Sequence, residues 1–397
     1  MNETQLEVLK LIKNNKSISR LLLAETLEIT PAAISKIIKN LINDKIVLEL
    51  SQGPSTGGRK PTMLSINYEK FGKILGITFA PSEIYFVIGN FSGEILFKKT
   101  IIFENDDNLI SNVISFSKKL INKYSNISMI SIIMNGFINF EEGISIFSPH
   151  YKWKNINLKS IFQKEFNIPI LIENDVRAMA MSEKVFGSCQ TSNNFVLINV
   201  GNGIGSSIFT NGEIYRGQGS IAGEIGHIIV DRTSIRKCSC GKRGCLEAEA
   251  SNLAIINKLT SQIKLNNYSL LKDQLNKNKY LTIKDVLEGV KERDFLSTKA
   301  TTEAIIIIAH AIDMIISLIN PEKIILVGDL FQDKFLINTL HLELQKVILK
   351  EQQCQIVISN LLEDIYIYAP LALSIYSIFN NKNFTKEIFI KNNLEVI

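Results

Sequence analysis

Cys238, Cys240 and Cys245 fall within eight residues, in "CSCGKRGCLE", and the 397-residue chain has only two other cysteines, Cys189 and Cys354. Thiols at this spacing can bind a metal or perform redox chemistry, and the cellular compartment bears on which. The first residues, "MNETQLEVLKLIKNN", lack the basic stretch and long apolar run of a signal peptide, and the longest apolar run, "AIIIIAHAIDMIISLI", is interrupted by His310 and Asp313. A cytoplasmic protein with no membrane partner is expected, and there a reduced cysteine cluster serves metal or redox chemistry rather than a structural disulfide. A thioredoxin-like redox pair is Cys-x-x-Cys, whereas the first two cysteines here form Cys-x-Cys. Zinc takes four ligands, and Gly241 and Gly244 let the three-cysteine loop fold back tightly. His227, eleven residues before Cys238 in "GEIGHIIVD", is placed for a strand to deliver its imidazole as the fourth. One structural zinc ion per chain on His227, Cys238, Cys240 and Cys245 is therefore expected. Three small buried hydrophobes would fit poorly beside Lys237, Lys242 and Arg243.

Several elements must support this loop. The chain is longer than one core usually holds, and 46% hydrophobic with 21% charged residues is an ordinary soluble composition, so two or three domains are expected. Charge is uneven: residues 1–66 carry nine Lys or Arg against six Asp or Glu, which puts most of the net +5 in the first sixth of the chain. "TQLEVLKLIKN" and "SISRLLLAETLEI", with Ser17 or Ser19 as N-cap, read as two helices. Thr30 and Pro31 then cap and begin a third, in which Ile34, Ile37, Ile38, Leu41 and Ile42 repeat at helical spacing. That leaves Ala32, Ala33, Ser35, Lys36 and Lys39 outward, small residues with lysines behind, as suits a helix entering the major groove. Strand-like "IVLEL" and "PTMLSI" flank "SQGPSTGGRK", a wing with Gly57 and Gly58 at its turn and Arg59 and Lys60 at its tip to meet phosphates or the minor groove. The competing reading is a plain three-helix bundle with a solvated lysine face.

From Phe71 onward strands prevail. "KILGITFA", "IYFVIGN" and "EILFKKTIIF" form a meander, and helices at about 107–124, 158–165 and 175–186 then alternate with "SMISIIMN", "IPILIEN" and "NFVLINVG". A hairpin at "TNGEI" leads to the cysteine loop, followed by several helices, "KIILVGD", a helix, "CQIVIS" and a last helix.

"STGGRKP" behind a helix-turn-helix, "LIENDVRAMAMSEKVFG", "NVGNGIGSSIFTNGEIYRG", "AGEIGHIIVD" and "CSCGKRGCLE" together resemble the ROK family of bacterial repressors, open reading frames and sugar kinases. The resemblance spans essentially the whole chain and is greatest to xylose-repressor-type regulators. It implies an α/β protein in which a winged helix-turn-helix (residues 1–68) precedes a two-lobed actin-like, ribonuclease-H-like sugar-binding unit (69–397). The small lobe is expected at about 69–186 and the large lobe at about 187–397, with the C-terminal helix a candidate to return to the small lobe. It also implies the same zinc set, and sugar contacts from Asn174, Asp175, Glu224, His227 and Glu247 in the interlobe cleft. Carboxylates, an amide and an imidazole can satisfy hydroxyls that both donate and accept. Asn174 and Asp175 could instead simply cap the following helix.

Two functions are compatible with such a unit. In kinases of this family the counterpart of Asp175 is the general base, which keeps an ATP-dependent sugar kinase open as the alternative. The phosphates would, however, need an early Asp-x-Gly-Gly-Thr turn, and this chain has Thr78, Phe79, Ala80 and Pro81 there. A later glycine pair is reduced to Gly328 followed by Asp329. The expectation is a non-enzymatic, sugar-responsive repressor of carbohydrate genes, those for xylose among the candidates, which as a homodimer or higher oligomer binds double-stranded operator DNA. Asn135-Gly136 in place of the family's common Pro-Gly, and His150 at a usually amide-bearing position, leave the identity of the sugar open.

Overall fold

Asn2 and Gln5 cap each other at the start of α1 (Glu3–Asn14), which buries Leu6, Val8, Leu9 and Ile12. Of the two candidate serines, Ser19 is the N-cap of α2 (Arg20–Leu27), accepting from the Leu22 amide. Ile18 and Ser19 form the short strand β1, paired with Leu64 and Met63. Thr30 caps α3 (Pro31–Asn43), and β2 (Val47–Gln52) runs antiparallel to β3 (Thr62–Ile66). The computed structural model describes residues 2–52, 61–81, 83–102, 108–349 and 351–380. The wing turn with Arg59 and Lys60 lies outside them.

Described residues of Met1–Phe186 and Glu363–Ile397 form one compact unit and Gly187–Leu362 a second. In the first, β4 (Lys73–Phe79), β5 (Glu83–Asn90) and β6 (Ile95–Ile102) form the antiparallel meander. After α4 (Leu109–Lys123), β7 (Ile127–Met134) joins β4 in parallel. A separate small sheet of β8 (Phe137–Asn139), β9 (Ile144–Ser148) and β10 (Trp153–Asn157) follows, which the strand pattern of the sequence did not reveal. Then α5 (Leu158–Glu165) leads to β11 (Ile170–Asn174), parallel to β7, and to α6 (Asp175–Val185). The strand order is β11-β7-β4-β5-β6.

The second unit repeats this order. An antiparallel trio, β12 (Phe195–Val200), β13 (Ile204–Thr210) and β14 (Glu213–Tyr215), precedes α7 (Leu246–Ala250), α8 (Asn252–Lys264), α9 (Lys272–Asn278), α10 (Ile283–Lys291) and α11 (Phe295–Ile319). Parallel β15 (Lys323–Val327), helix α12 (Lys334–Val347) and parallel β16 (Gln355–Ile358) complete a sheet of order β14-β13-β12-β15-β16. Two sheets, each with three antiparallel strands extended by two parallel ones, make the duplicated α/β architecture expected of an actin-like, ribonuclease-H-like chain. At 25 residues α11 is apolar enough to cross a membrane by length and composition, so His310 and Asp313 do not by themselves exclude a span. Its Ala304, Ile305, Ile308, Ile312, Ile315 and Ile316 instead form the core of the second unit.

The last described helix, α13 (Ile365–Asn380), belongs to the first unit and packs on β4 and α6. Pro370 lies inside it and has no N–H to donate to the carbonyl one turn back, that of Tyr366. Buried Thr78 of β4 supplies the missing donor, its Oγ1 lying 2.8 Å from the Tyr366 oxygen. The proline ring itself faces Gly76, where a Cβ would come within 2.6 Å of Pro370 Cγ.

Candidate functional site

Two backbone pairings build the cysteine loop. Leu246 N donates to Ile228 O at 2.9 Å and Val230 N to Gly244 O at 2.8 Å, which sets Cys245 opposite Ile229, two residues after His227. The hairpin above it closes through Cys238 N to Lys242 O at 2.8 Å. Gly226 and Gly223 let the segment that carries Glu224 and His227 lie directly on β13. A Cβ at either would come within 2.3 Å of the Ile204 or Ser206 carbonyl oxygen.

The donor atoms converge. One ligand atom each from His227, Cys238 and Cys240 lie within 4.8 Å of one another. His227 Nδ1 is 3.4 Å from Cys238 Sγ, and Cys240 Sγ is 3.7 Å from Cys245 Sγ. A tetrahedral zinc with S at about 2.3 Å and N at about 2.0 Å requires S···S near ~3.8 Å and S···N near ~3.5 Å, so these two separations fit that ion, while Cys245 is not among the three residues whose donor atoms all lie within 4.8 Å of one another. Burial, with hydrogen bonds to Cys240 and Cys238 adding to it, pushes the Cys245 thiol up to about 12, and burial also raises Cys238. Deprotonating three thiols this close together would need a cation between them, and a divalent metal is the kind of ion that such a donor set suits.

The acids of the same unit surround this cluster. His227 Nε2, the ring nitrogen away from Cys238, is 4.0 Å from Glu224 Oε2. Glu247, in the first turn of α7, accepts from Ser239 Oγ at 2.7 Å and lies 3.6 Å from Cys238 Sγ through Oε1, while Ile204 N reaches Oε2 at 3.4 Å. The cysteine loop, Glu247 and the β12–β13 turn are thus one hydrogen-bonded assembly. Ser239 escaped the sequence reading because nothing distinguished it from any loop serine.

In the first unit, Asn174 and Asp175 sit together where β11 passes into α6. Asn174 Oδ1 caps the helix through Arg177 N at 3.1 Å, and its Nδ2 donates both to Gly136 O at 3.1 Å and to Asp175 Oδ1 at 2.9 Å. Val176 N also donates to Asp175 Oδ1, at 2.9 Å. Burial raises the Asp175 carboxyl above its ordinary range, against the lowering effect of these bonds and of nearby Arg177. Behind the pair, Glu173 Oε1 meets Arg177 Nε at 2.8 Å in a buried ion pair.

The β4–β5 turn is filled by the chain itself. Tyr151 Oη donates to Ala80 O at 2.6 Å, and the Tyr151 and Trp153 rings meet Phe79 edge-on at centroid distances of 5.8 and 5.6 Å. Pro81 follows with no N–H. Four of the five outward residues expected on α3, namely Ala32, Ser35, Lys36 and Lys39, are exposed; Ala33 is half-buried, and Ile34, Ile38 and Leu41 are buried on the opposite side.

The sequence profile of the ROK family matches residues 74–364, and that of a winged helix-turn-helix DNA-binding domain matches residues 1–47. The chain is 30% identical over 343 residues to a xylose repressor of Caldicellulosiruptor bescii, covering 83% of this chain and 85% of that one. It is 28% identical over 339 residues to the DNA-binding transcriptional dual regulator NagC of Escherichia coli, covering 83% and 81%. The crystal structure of a ROK family transcriptional regulator, a homologue of the E. coli Mlc protein, superposes with a TM-score of 0.83 at 27% identity, over 99% of each chain.

Proposed function

The chain belongs to the ROK family, and from that membership we propose that it is a sugar-responsive, DNA-binding transcriptional repressor and not an enzyme. One observation carries this reading: a single chain joins a capped helix with Ala32, Ser35, Lys36 and Lys39 exposed to a ROK unit in which Tyr151 bonds the Ala80 carbonyl at the end of β4. Phosphoryl transfer relies on positioning and charge stabilisation at the phosphates, and Phe79, Ala80 and Pro81 offer neither. The relatives matched across four-fifths of the chain are named as repressors and a transcriptional regulator, in line with that chemistry.

The effector is a sugar, with Asn174, Asp175, Glu224, His227 and Glu247 as the residues proposed to contact its hydroxyls. One zinc ion per chain, held by His227, Cys238, Cys240 and Cys245, would order the loop that Glu247 braces, and supplies structure rather than reactivity. Cys240→Ser is expected to lose both the metal and sugar affinity. Xylose and N-acetylglucosamine, the sugars in the relatives' names, head the candidates. α3 and the wing with Arg59 and Lys60 read a duplex as part of a homodimer, whose half-sites would lie about 34–36 Å apart or a multiple of that.

Two assays test this reading. Selection from a random duplex library should recover a sequence-specific, two-fold site, and ADP release should stay at background with every pentose, hexose and amino sugar offered. Sugar-dependent ADP release abolished by Asp175→Asn would replace the repressor reading with the kinase one.

A further inference from the structure

Strands β7 and β11 are parallel with Met134 opposite Asn174, so the next residue of each, Asn135 and Asp175, leaves the sheet side by side, roughly 5 Å apart by strand spacing. This is the carboxyl edge, where open α/β sheets bind their ligands. The turn that carries Asn135 is fixed on three sides. Asn174 Nδ2 donates to Gly136 O at 3.1 Å. Gly136 has φ +104°, and a Cβ there would come within 2.2 Å of Phe147 O, so the turn lies flat on the end of β9. Ser148, fully buried, donates its Oγ to Asn135 Oδ1 at 3.1 Å.

Asn135 is itself only half-buried, and among the described residues its Nδ2 takes part in no hydrogen bond. The side chain is thus oriented by a buried hydroxyl at its oxygen, with two amide hydrogens left on the residue that neighbours Asp175 across the strand ends. A donor next to an acceptor matches two neighbouring sugar oxygens, one giving its proton to Asp175 and the other receiving from the amide. Resting on the sugar-effector reading above, we propose that Asn135 is a sugar-contact residue that sets specificity, selecting sugars with a vicinal pair of oxygens at this edge. Ser148 is its positioning residue.

Isothermal titration calorimetry with D-xylose, D-glucose, N-acetyl-D-glucosamine and a wider set of pentoses and hexoses tests this on the wild type, Asn135→Ala, Asn135→Asp and Ser148→Ala. Asn135→Ala should weaken the best-bound sugar by ~10–100-fold, as expected for a ligand oxygen left without its donor, and compress the differences among sugars. Asn135→Asp, which sets a second acceptor beside Asp175, should weaken it at least as much, and Ser148→Ala should weaken it less. Zinc content and sugar-free DNA affinity should be unchanged in all three, which separates a missing sugar interaction from misfolding. Wild-type affinity and selectivity in Asn135→Ala would overturn this assignment alone. If Asn135→Ala fails to fold, wild-type affinity in Asn135→Asp would do the same. No heat from the wild type with any sugar would overturn the sugar-effector reading, and this assignment with it.

Discussion

Asp175, proposed above as a sugar contact, is held at a cost to stability. Burial raises its carboxyl above the unfolded value, so the folded protein binds the proton more tightly than the unfolded chain does. The stabilising contribution is therefore present at low pH and lost as pH rises through the raised value, so above the ordinary carboxylate range burying this carboxyl is a net cost. Asp175→Asn keeps the Oδ1 acceptor that Asn174 and Val176 use, and removes the charge. It should raise the apparent Tm at pH 7, and that gain should vanish as pH is lowered towards the ordinary carboxylate range. Sugar affinity should fall, the usual exchange between stability and function at a site. Thermal scans at several pH values check the first half and calorimetry the second; an equal or lower Tm at pH 7 would contradict it. At this scale the sequence was most legible where spacing implied geometry, as in Cys238 and Cys240 with His227, whose donor atoms lie within 4.8 Å of one another. It marked Asn135 only as a departure from the family's Pro-Gly and was silent on Ser148 and Ser239, polar loop and strand-end residues whose partners, 13 and 8 positions away, are set by how the chain turns.

Local signals carried furthest among the elements. The Thr30 cap and Pro31 mark the start of α3 in the sequence and in the fold, and short apolar runs between polar segments locate β4, β5 and β7. The small β8–β10 sheet and the pairing of β1 were not legible, because short strands gain their pattern from the partner they meet rather than from their own residues. The bond between Thr78 and the Tyr366 carbonyl, across 288 positions of sequence, belongs to the same class. Thr78→Val keeps the shape and leaves a buried carbonyl without its donor, so urea unfolding should show a loss of about 1–3 kcal/mol. A neutral result would mean that the Pro370 gap in α13 is satisfied by other means. On α3, Lys36 and Lys39 are exposed, and Lys36→Ala with Lys39→Ala should weaken binding to all duplexes alike. The slope of log affinity against log salt should flatten by about 0.9 for each phosphate that the lysines no longer neutralise, with sugar affinity unchanged. An unaltered salt slope would remove these lysines from the DNA interface.

For the molecule as a whole, the reader and the Asn174–Asp175 pair belong to one compact unit, and α13 joins them. One side of α13 packs on α6, the helix that starts at Asp175, and α1 of the reader contacts it as well. Lys13 of α1 lies over the Phe379 ring at 5.5 Å from its centroid; burial, and then repulsion from Lys184 of α6, lowers its amine to about 8. A sugar that favours one position of α6 therefore has a packed route to the reader, and it can shift DNA affinity only by its differential affinity for the two states. Fluorescence anisotropy of a labelled duplex from the random-library selection, titrated with protein with and without a saturating sugar that binds in calorimetry, measures this coupling directly. The sugar should weaken wild-type DNA binding by about 5–150-fold and leave Glu224→Ala, whose sugar-free DNA affinity stays normal, without a response. Wild-type DNA affinity that stays the same with every sugar that binds would contradict the assignment of this chain as a sugar-responsive repressor.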